Sequence, residues 1–166
     1  MSSKIKKIII MRHANAKPTT PPPGLTDKER PLSKKGWEEL SSLGKREREA
    51  LNQVTSVLCS SATRTRQTLE GIMRYLPNIH KIIYLDELYQ APAWIYLEEI
   101  NLWEEEHAVL LFVGHNPAVS EFLINVSEAG RGGREVIDSV STAGICIYDV
   151  HTHGNEGIGY GDLKIV

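Results

Sequence analysis

Cysteine is nearly absent: Cys59 and Cys146 are the two in 166 residues, and each lies inside an apolar run. A disulfide framework is therefore excluded, and both thiols read as small buried hydrophobes. Charge of one sign is also missing. Nineteen Lys and Arg against 21 Asp and Glu leave a formal net charge of −2. This implies no general attraction to nucleic acid or to an anionic membrane, although a local basic site stays open. Near the start of the chain the apolar run is only Ile8 to Met11, well short of a signal-peptide core of about 7–15 residues or a membrane span of about 20. The expected location is the cytoplasm. Neither the low hydrophobicity of disordered chains nor a Gly-X-Y repeat is present.

What remains is an ordinary globular composition, 41% hydrophobic and 24% charged. One domain spanning residues 1–166 is expected, long enough to bury roughly 70% of the surface its unfolded chain exposes.

Ile8 to Met11 is short, β-branched and continuously apolar, which marks a strand covered on both faces. The segment 17–24 holds three consecutive prolines and reads as a surface loop. Ser33 is suited to cap a helix running to about Leu51, with Trp37, Leu40, Leu43 and Gly44 along one side. Val54 to Leu58 reads as a second strand. Behind the hydroxyls of Ser60 and Ser61, expected as N-caps, a helix carries Leu69, Ile72, Met73 and Leu76 until Pro77 stops it. Lys81 to Leu85 is a third strand. Pro92 suits the start of a helix with Leu97, Ile100 and Trp103 on its apolar side. Val109 to Val113 is the most apolar strand, followed by Asn116 as N-cap, Pro117 at the first helical position, and Val119, Phe122, Leu123 and Val126 at helical spacing. Gly144 to Val150 is a strand, and residues 160–166 read as an edge strand or a packed tail. Strands alternating with helices predict an α/β fold, a mostly parallel central sheet between two helical layers.

In such folds ligands bind beyond the carboxyl ends of the strands. Those ends carry Arg12-His13, Arg64 and His115. Two guanidiniums and two imidazoles converging on one crevice predict a phosphate pocket, because the planar Arg fork matches phosphate oxygens and helix N-termini add oriented N–H groups.

These residues sit in recognisable segments. Met11-Arg12-His13-Ala14 resembles the Arg-His-Gly box of the histidine phosphatase superfamily, which has the phosphoglycerate mutase-like fold. Ser60 to Thr68, with Arg64 and Gln67, is similar to its Ser-Pro-x-x-Arg-Ala-x-Gln-Thr segment, and Gly114-His115-Asn116-Pro117 to its second-histidine motif. Arg30-Pro31-Leu32-Ser33-x-x-Gly36, Glu87-Leu88-Tyr89 and Ser141 to Gly144 also resemble the compact SixA-like branch. The resemblance covers roughly residues 8–150. It implies a metal-independent phosphatase without a cofactor, in which His13 is the transiently phosphorylated nucleophile. Arg12, Arg64 and His115 would hold the phosphoryl oxygens, with Asn116 as a further substrate contact. Glu87, 23 residues after Arg64, is the candidate general acid. Ala14 stands where Gly is common, and Asn15-Ala16 replaces the Glu-Ser of mutases, which argues against mutase activity.

The substrate implied is a phosphorylated protein, such as a phosphohistidine phosphotransfer domain. A small phosphoester is the alternative within the superfamily, and a catalytically silent phosphate-binding module is the alternative outside enzymes. The oligomeric state is left open. His151 and His153 lack the further ligands of a zinc site, Gly130 to Gly133 lacks the Lys-Ser/Thr of a P-loop, and Glu104 to Glu106 and the N-terminal lysines read as solvated.

Overall fold

The computed structural model describes residues 5–19, 24–130, 139–152 and 158–165, with side chains except at 6, 126–130 and 151–165. The prolines at 21–23, Arg131 to Gly133, His153 and the side chains of Val126 and His151 lie outside the described part. The elements are β1 (Ile5–Arg12), α1 (Lys34–Arg46), α2 (Arg48–Leu51), β2 (Ser56–Ser60), α3 (Thr63–Ile72), β3 (Lys81–Leu85), α4 (Trp94–Leu102), β4 (Ala108–Gly114), α5 (Ala118–Gly130), β5 (Ile145–Thr152) and β6 (Ile158–Ile165).

Six strands form one sheet in the order β3-β2-β4-β1-β5-β6. The first four run parallel, and β5 and β6 are antiparallel additions on the far side of β1. The mostly parallel α/β architecture read from the sequence is therefore the one observed. The unbroken apolar run of β1 has a direct cause. Ile8 and Ile10 pack into the layer built by Tyr96, Ile100, Phe122 and Leu123 of α4 and α5. Ile9 and Met11 point the other way, onto Leu40, Leu43, Leu69 and Ile72 of α1 and α3. A strand with both faces covered has no position left for a polar residue until it emerges. No helix is long and apolar enough to cross a membrane among the described residues.

Several local readings are corrected. Ser33 caps α1 as expected, its hydroxyl accepting from the Gly36 N–H. The helix nevertheless ends at Arg46, and α2 is a separate turn, because the chain leaves helical geometry at Glu47. Trp37 is 39% exposed, at the margin of a stripe centred on Gly36, Leu40, Leu43 and Gly44. The cap position of α3 is Ala62, without a side-chain bond; Ser60 and Ser61 are engaged elsewhere. Met73 is exposed in a 3-10 turn that follows α3. The helices α4 and α5 begin at Trp94 and Ala118, one or two residues later than Pro92 and Pro117 suggest. Tyr96 is the fully buried anchor of α4.

The loop after β1 is fastened to the start of α1. Asn15 O accepts from the Ser33 N–H at 2.9 Å, and Lys17 N–H donates to Pro31 O at 2.9 Å. A Cβ on Gly36 would lie 2.2 Å from Asn15 O, a backbone atom that cannot move alone. Gly36→Ala is therefore expected to cost about 1–3 kcal/mol, seen as a melting temperature lower by roughly 2–4 °C per kcal/mol. An unchanged melting temperature would show that helix and loop are not in contact.

Candidate active site

Register brings the strand ends level. Arg12 pairs with Gly114 and Ser60 with Leu85, and the His13 N–H donates to Gly114 O at 3.0 Å. Residues just beyond β1, β2 and β4 thus open into one crevice of about 770 Å³ lined by Arg12, His13, Asp27, Arg30, Arg64, His115, Asn116, Glu121 and neighbours. That volume lies within the usual range of ligand sites, about 300–1,000 Å³.

His13 and His115 are both buried, with ring centroids 5.2 Å apart. His13 Nδ1 lies 2.8 Å from Ala14 O. A carbonyl can only accept, so Nδ1 carries the proton of the neutral ring and Nε2 keeps its lone pair. His115 Nε2 lies 2.8 Å from Ser60 Oγ. With that hydroxyl donating, the neutral His115 ring has its proton on Nδ1, where it is a donor. Ser60 therefore orients a ring and caps nothing. Ser61 Oγ instead donates to Asp86, which also pairs with Lys28.

Burial pushes the His13 imidazole down from 6.5 to about 4, with Arg64, Arg12 and Arg30 adding to the effect against the Ala14 bond. Burial likewise lowers His115 to about 3, assisted by Arg64 and His13 and opposed by Asp27. Both rings are neutral near pH 7.

Each arginine is held by the protein on one side. Arg12 Nη1 donates to Val140 O at 2.8 Å. Arg64 Nη1 donates to Asp27 O at 2.7 Å and Nη2 to Asp27 Oδ2 at 3.1 Å. Arg30 Nε reaches Asp27 Oδ1 at 3.1 Å, and the Tyr89 hydroxyl donates to Oδ2 at 2.9 Å. Burial alone would raise the Asp27 carboxyl, but the Tyr89 bond and the charges of Arg64 and Arg30 outweigh it and keep it below the usual carboxylate value. On the other side, Arg12 Nε, Arg64 Nε and His115 Nδ1 are buried without a hydrogen-bond partner among the described residues. Buried donors left unpaired are costly. Arg12, Arg64 and His115 all line the crevice, where a bound oxyanion would offer acceptors for such donors.

The remaining motif residues serve this arrangement. Thr68 Oγ1 accepts from the Ala14 N–H at 3.0 Å, and Gln67 Oε1 from the Leu32 N–H at 2.8 Å. They tie α3 to the loops on either side of the crevice. Asn116 lines the crevice, but its amide is committed to the protein. Nδ2 donates to Ser139 Oγ and Val140 O, and Oδ1 accepts from Ser120. It steadies the carbonyl that holds Arg12. Glu87 stands on the turn after β3, exposed and not among the crevice residues. Sequence reading missed Asp27, Arg30 as a site residue, Ser60 as a histidine partner, and Tyr89 as a donor. Arg30 and Tyr89 lay within quoted motifs; nothing in the pattern around Asp27 marks it.

The depressed imidazole values carry a stability consequence. Between pH 6.5 and about 4 the unfolded chain binds the proton that folded His13 refuses. Its contribution is thus complete above pH 6.5 and is lost as pH falls towards 4. Urea denaturation at a series of pH values is expected to show a shallower acid loss for His13→Asn than for wild type. Identical slopes would mean that His13 is solvated.

No protein-family model matches the chain. An uncharacterised protein of Mycobacterium tuberculosis is 35% identical over 147 residues, covering 86% of this chain and 89% of the relative. Among solved structures, a putative phosphohistidine phosphatase SixA from Agrobacterium tumefaciens superposes with TM-score 0.73 at 27% identity, covering 96% and 97% of the two chains. A protein histidine phosphatase SixA complexed with tungstate gives TM-score 0.71 at 22% identity, with 96% of each chain covered. A mycobacterial glucosyl-3-phosphoglycerate phosphatase gives 0.67 at 11%, over 97% and 98%, a likeness of fold. With the motifs in order at the strand ends and this fold across the chain, the protein belongs to the histidine phosphatase superfamily, in its SixA-like branch.

Proposed function

We propose that the protein is a phosphatase that works through a phosphorylated His13 and acts on phosphohistidine displayed by another protein. The observation that carries the reading is the set of unpaired buried nitrogens, Arg12 Nε, Arg64 Nε and His115 Nδ1, around an imidazole whose Nδ1–H is already bonded to Ala14 O. His13 Nε2 attacks phosphorus as the bond to the leaving group breaks. The guanidiniums and His115 take the charge on the three equatorial oxygens, which is where a loose phosphoryl transition state needs support. Water then attacks phospho-His13 and releases phosphate, returning the electron pair to Nε2. The arginines supply the positive charge, so no metal enters the proposal.

The phosphohistidine preference rests on proton supply. Asp27 is bonded at both oxygens and held as the anion, which makes it a poor proton donor. An alkoxide leaving group needs such a donor. A phosphorylated imidazole takes its proton from solvent on its other ring nitrogen, near the ordinary imidazole value of ~6.5, and leaves as the neutral base.

Trapping with labelled substrate should give an acid-labile, base-stable adduct in wild type and none in His13→Asn, and turnover of p-nitrophenyl phosphate should survive EDTA. An acid-stable adduct, or one persisting in the variant, removes His13 from this role; loss with EDTA points to a metallophosphatase.

A substrate panel tests the second half. Phosphohistidine protein and p-nitrophenyl phosphate should exceed an alkyl phosphate in kcat/KM by on the order of 10²–10⁴, the typical value of a missing general acid. Asp27→Asn should lose about 10²-fold on every substrate, because it releases two arginines from their positions. Glu87→Gln should change none of them. An alkyl phosphate handled as well as phosphohistidine would sink the preference, and a loss in Asp27→Asn confined to the alkyl phosphate would make Asp27 the acid.

A further inference from the structure

We propose that Glu39, in the middle of α1, is a positioning residue of the active site, whose carboxylate bridges the segment carrying His13 to the segment holding Arg12. Oε2 accepts the Asn15 N–H at 2.8 Å, and Oε1 accepts the Thr142 hydroxyl at 2.9 Å. Asn15 and Thr142 both line the crevice. Glu39 does not. It faces a separate groove between α1 and residues 141–144, so it acts on the reaction only through the groups it holds.

The first of those groups governs the nucleophile. Asn15 follows His13 by two residues, and both of its backbone groups are spent on α1. Its carbonyl accepts from the Ser33 N–H, and its N–H goes to Glu39. Gly36 lies three residues before Glu39, on the same face of the helix, and leaves the space that Asn15 O occupies. One residue makes room for the loop and the other fastens it.

The second group governs Arg12. Thr142 belongs to the turn before β5, where Val140 O receives Arg12 Nη1 at 2.8 Å and Gly144 O accepts the Arg12 N–H at 3.1 Å. The Ala143 N–H donates to His13 O at 3.2 Å. Ala143 has a φ of 54°, a left-handed conformation uncommon for a residue with a Cβ, so the turn must be held by its surroundings. Thr142 is where Glu39 holds it.

The charge of the bridge adds to its geometry. Asp27 counters Arg30 and Arg64, whereas the direct side-chain partner of Arg12 is a neutral carbonyl. Burial lowers Arg12 from its ordinary value, and the Glu39 carboxylate opposes that shift. Lys35 stands 3.9 Å from Glu39 but is 71% exposed, a contact that water weakens. The bonds to Asn15 and Thr142 are the ones that matter.

The inference rests on the phosphatase reading, which trapping of the His13 adduct in wild type tests by itself. Glu39→Ala should lower kcat for p-nitrophenyl phosphate about 10²-fold, the typical effect of reacting groups set slightly out of place. Orthovanadate mimics the five-coordinate phosphorus of the transition state, so its inhibition constant should rise by a similar factor while KM changes less. Glu39→Gln can remake both bonds once the Thr142 hydroxyl turns to accept, and should return kcat to within about tenfold of wild type. Thr142→Val should cost activity in wild type and nothing further in Glu39→Ala, because the two share one bridge. A wild-type kcat in Glu39→Ala overturns the proposal. So does a lower kcat with an unchanged vanadate constant, which reports only less folded enzyme, or a Thr142→Val loss that adds in full. Should Glu39→Ala fail to fold, Thr142→Val carries the test, and an unchanged vanadate constant there overturns the proposal as well.

Discussion

The constraint on which the rest depends is the gathering of three guanidiniums around a desolvated imidazole. Arg12, Arg30 and Arg64 all depress His13, in addition to its burial. Like charges brought together in a low-dielectric place repel strongly, so the fold supplies one counter-anion for two of them and a carbonyl for the third. Asp27 bonds Arg30 and Arg64; Val140 O receives Arg12. The loop around Asp27 is in turn fastened to α3, where Thr63 N–H donates to Lys28 O, and Val140 is fixed by Ser120 of α5 and by Asn116 just before that helix. Arg12 and Arg64 are thus oriented by segments distant in sequence, with no partner at Nε among the described residues, while Arg30 is held through its Nε by the nearby Asp27.

Much of this was legible from residues alone. The apolar runs of β1, β2 and β4 announced parallel strands because burial on both faces leaves little room for polar residues within them, and the polar residues at their ends were exposed by that contrast; β3 is open on one face. His13, Arg12, Arg64 and His115 all lie where the rule for parallel sheets places ligands. The antiparallel attachment of β5 was not legible, since strand direction leaves no mark in a short apolar run.

The misreadings share a cause. Ser60 looks like a cap because Ser precedes many helices, yet its hydroxyl is drawn to a histidine 55 residues away. Asn116 has the form of a ligand at a helix start and does line the crevice, but its amide is also bonded to Ser139 and Val140 before β5. Glu87 has the sequence interval of a catalytic acid and stands exposed on the 3-10 turn after β3, outside the residues that line the crevice. Asp27 lies in a loop without periodicity, and its importance comes from three partners at separations of 3, 37 and 62 residues. Local propensity can be read from neighbours; partnership across the fold cannot.

The way Asp27 is used also bears on which substrates the site can serve. A carboxylate close to the reacting phosphoryl group can either orient cations or surrender a proton, and the same atoms cannot do both well. Bonds from Arg30, Arg64 and Tyr89 favour its anionic form and so oppose proton donation. They also stabilise the arginines in the geometry that charge transfer to oxygen requires. Under the proposed mechanism, the site has traded acid strength for cation placement. That exchange costs little when the leaving group is an imidazole able to collect its proton from water, and much when it is an alkoxide. The electrostatic solution that permits three arginines to share one crevice therefore narrows the leaving groups the same crevice can release.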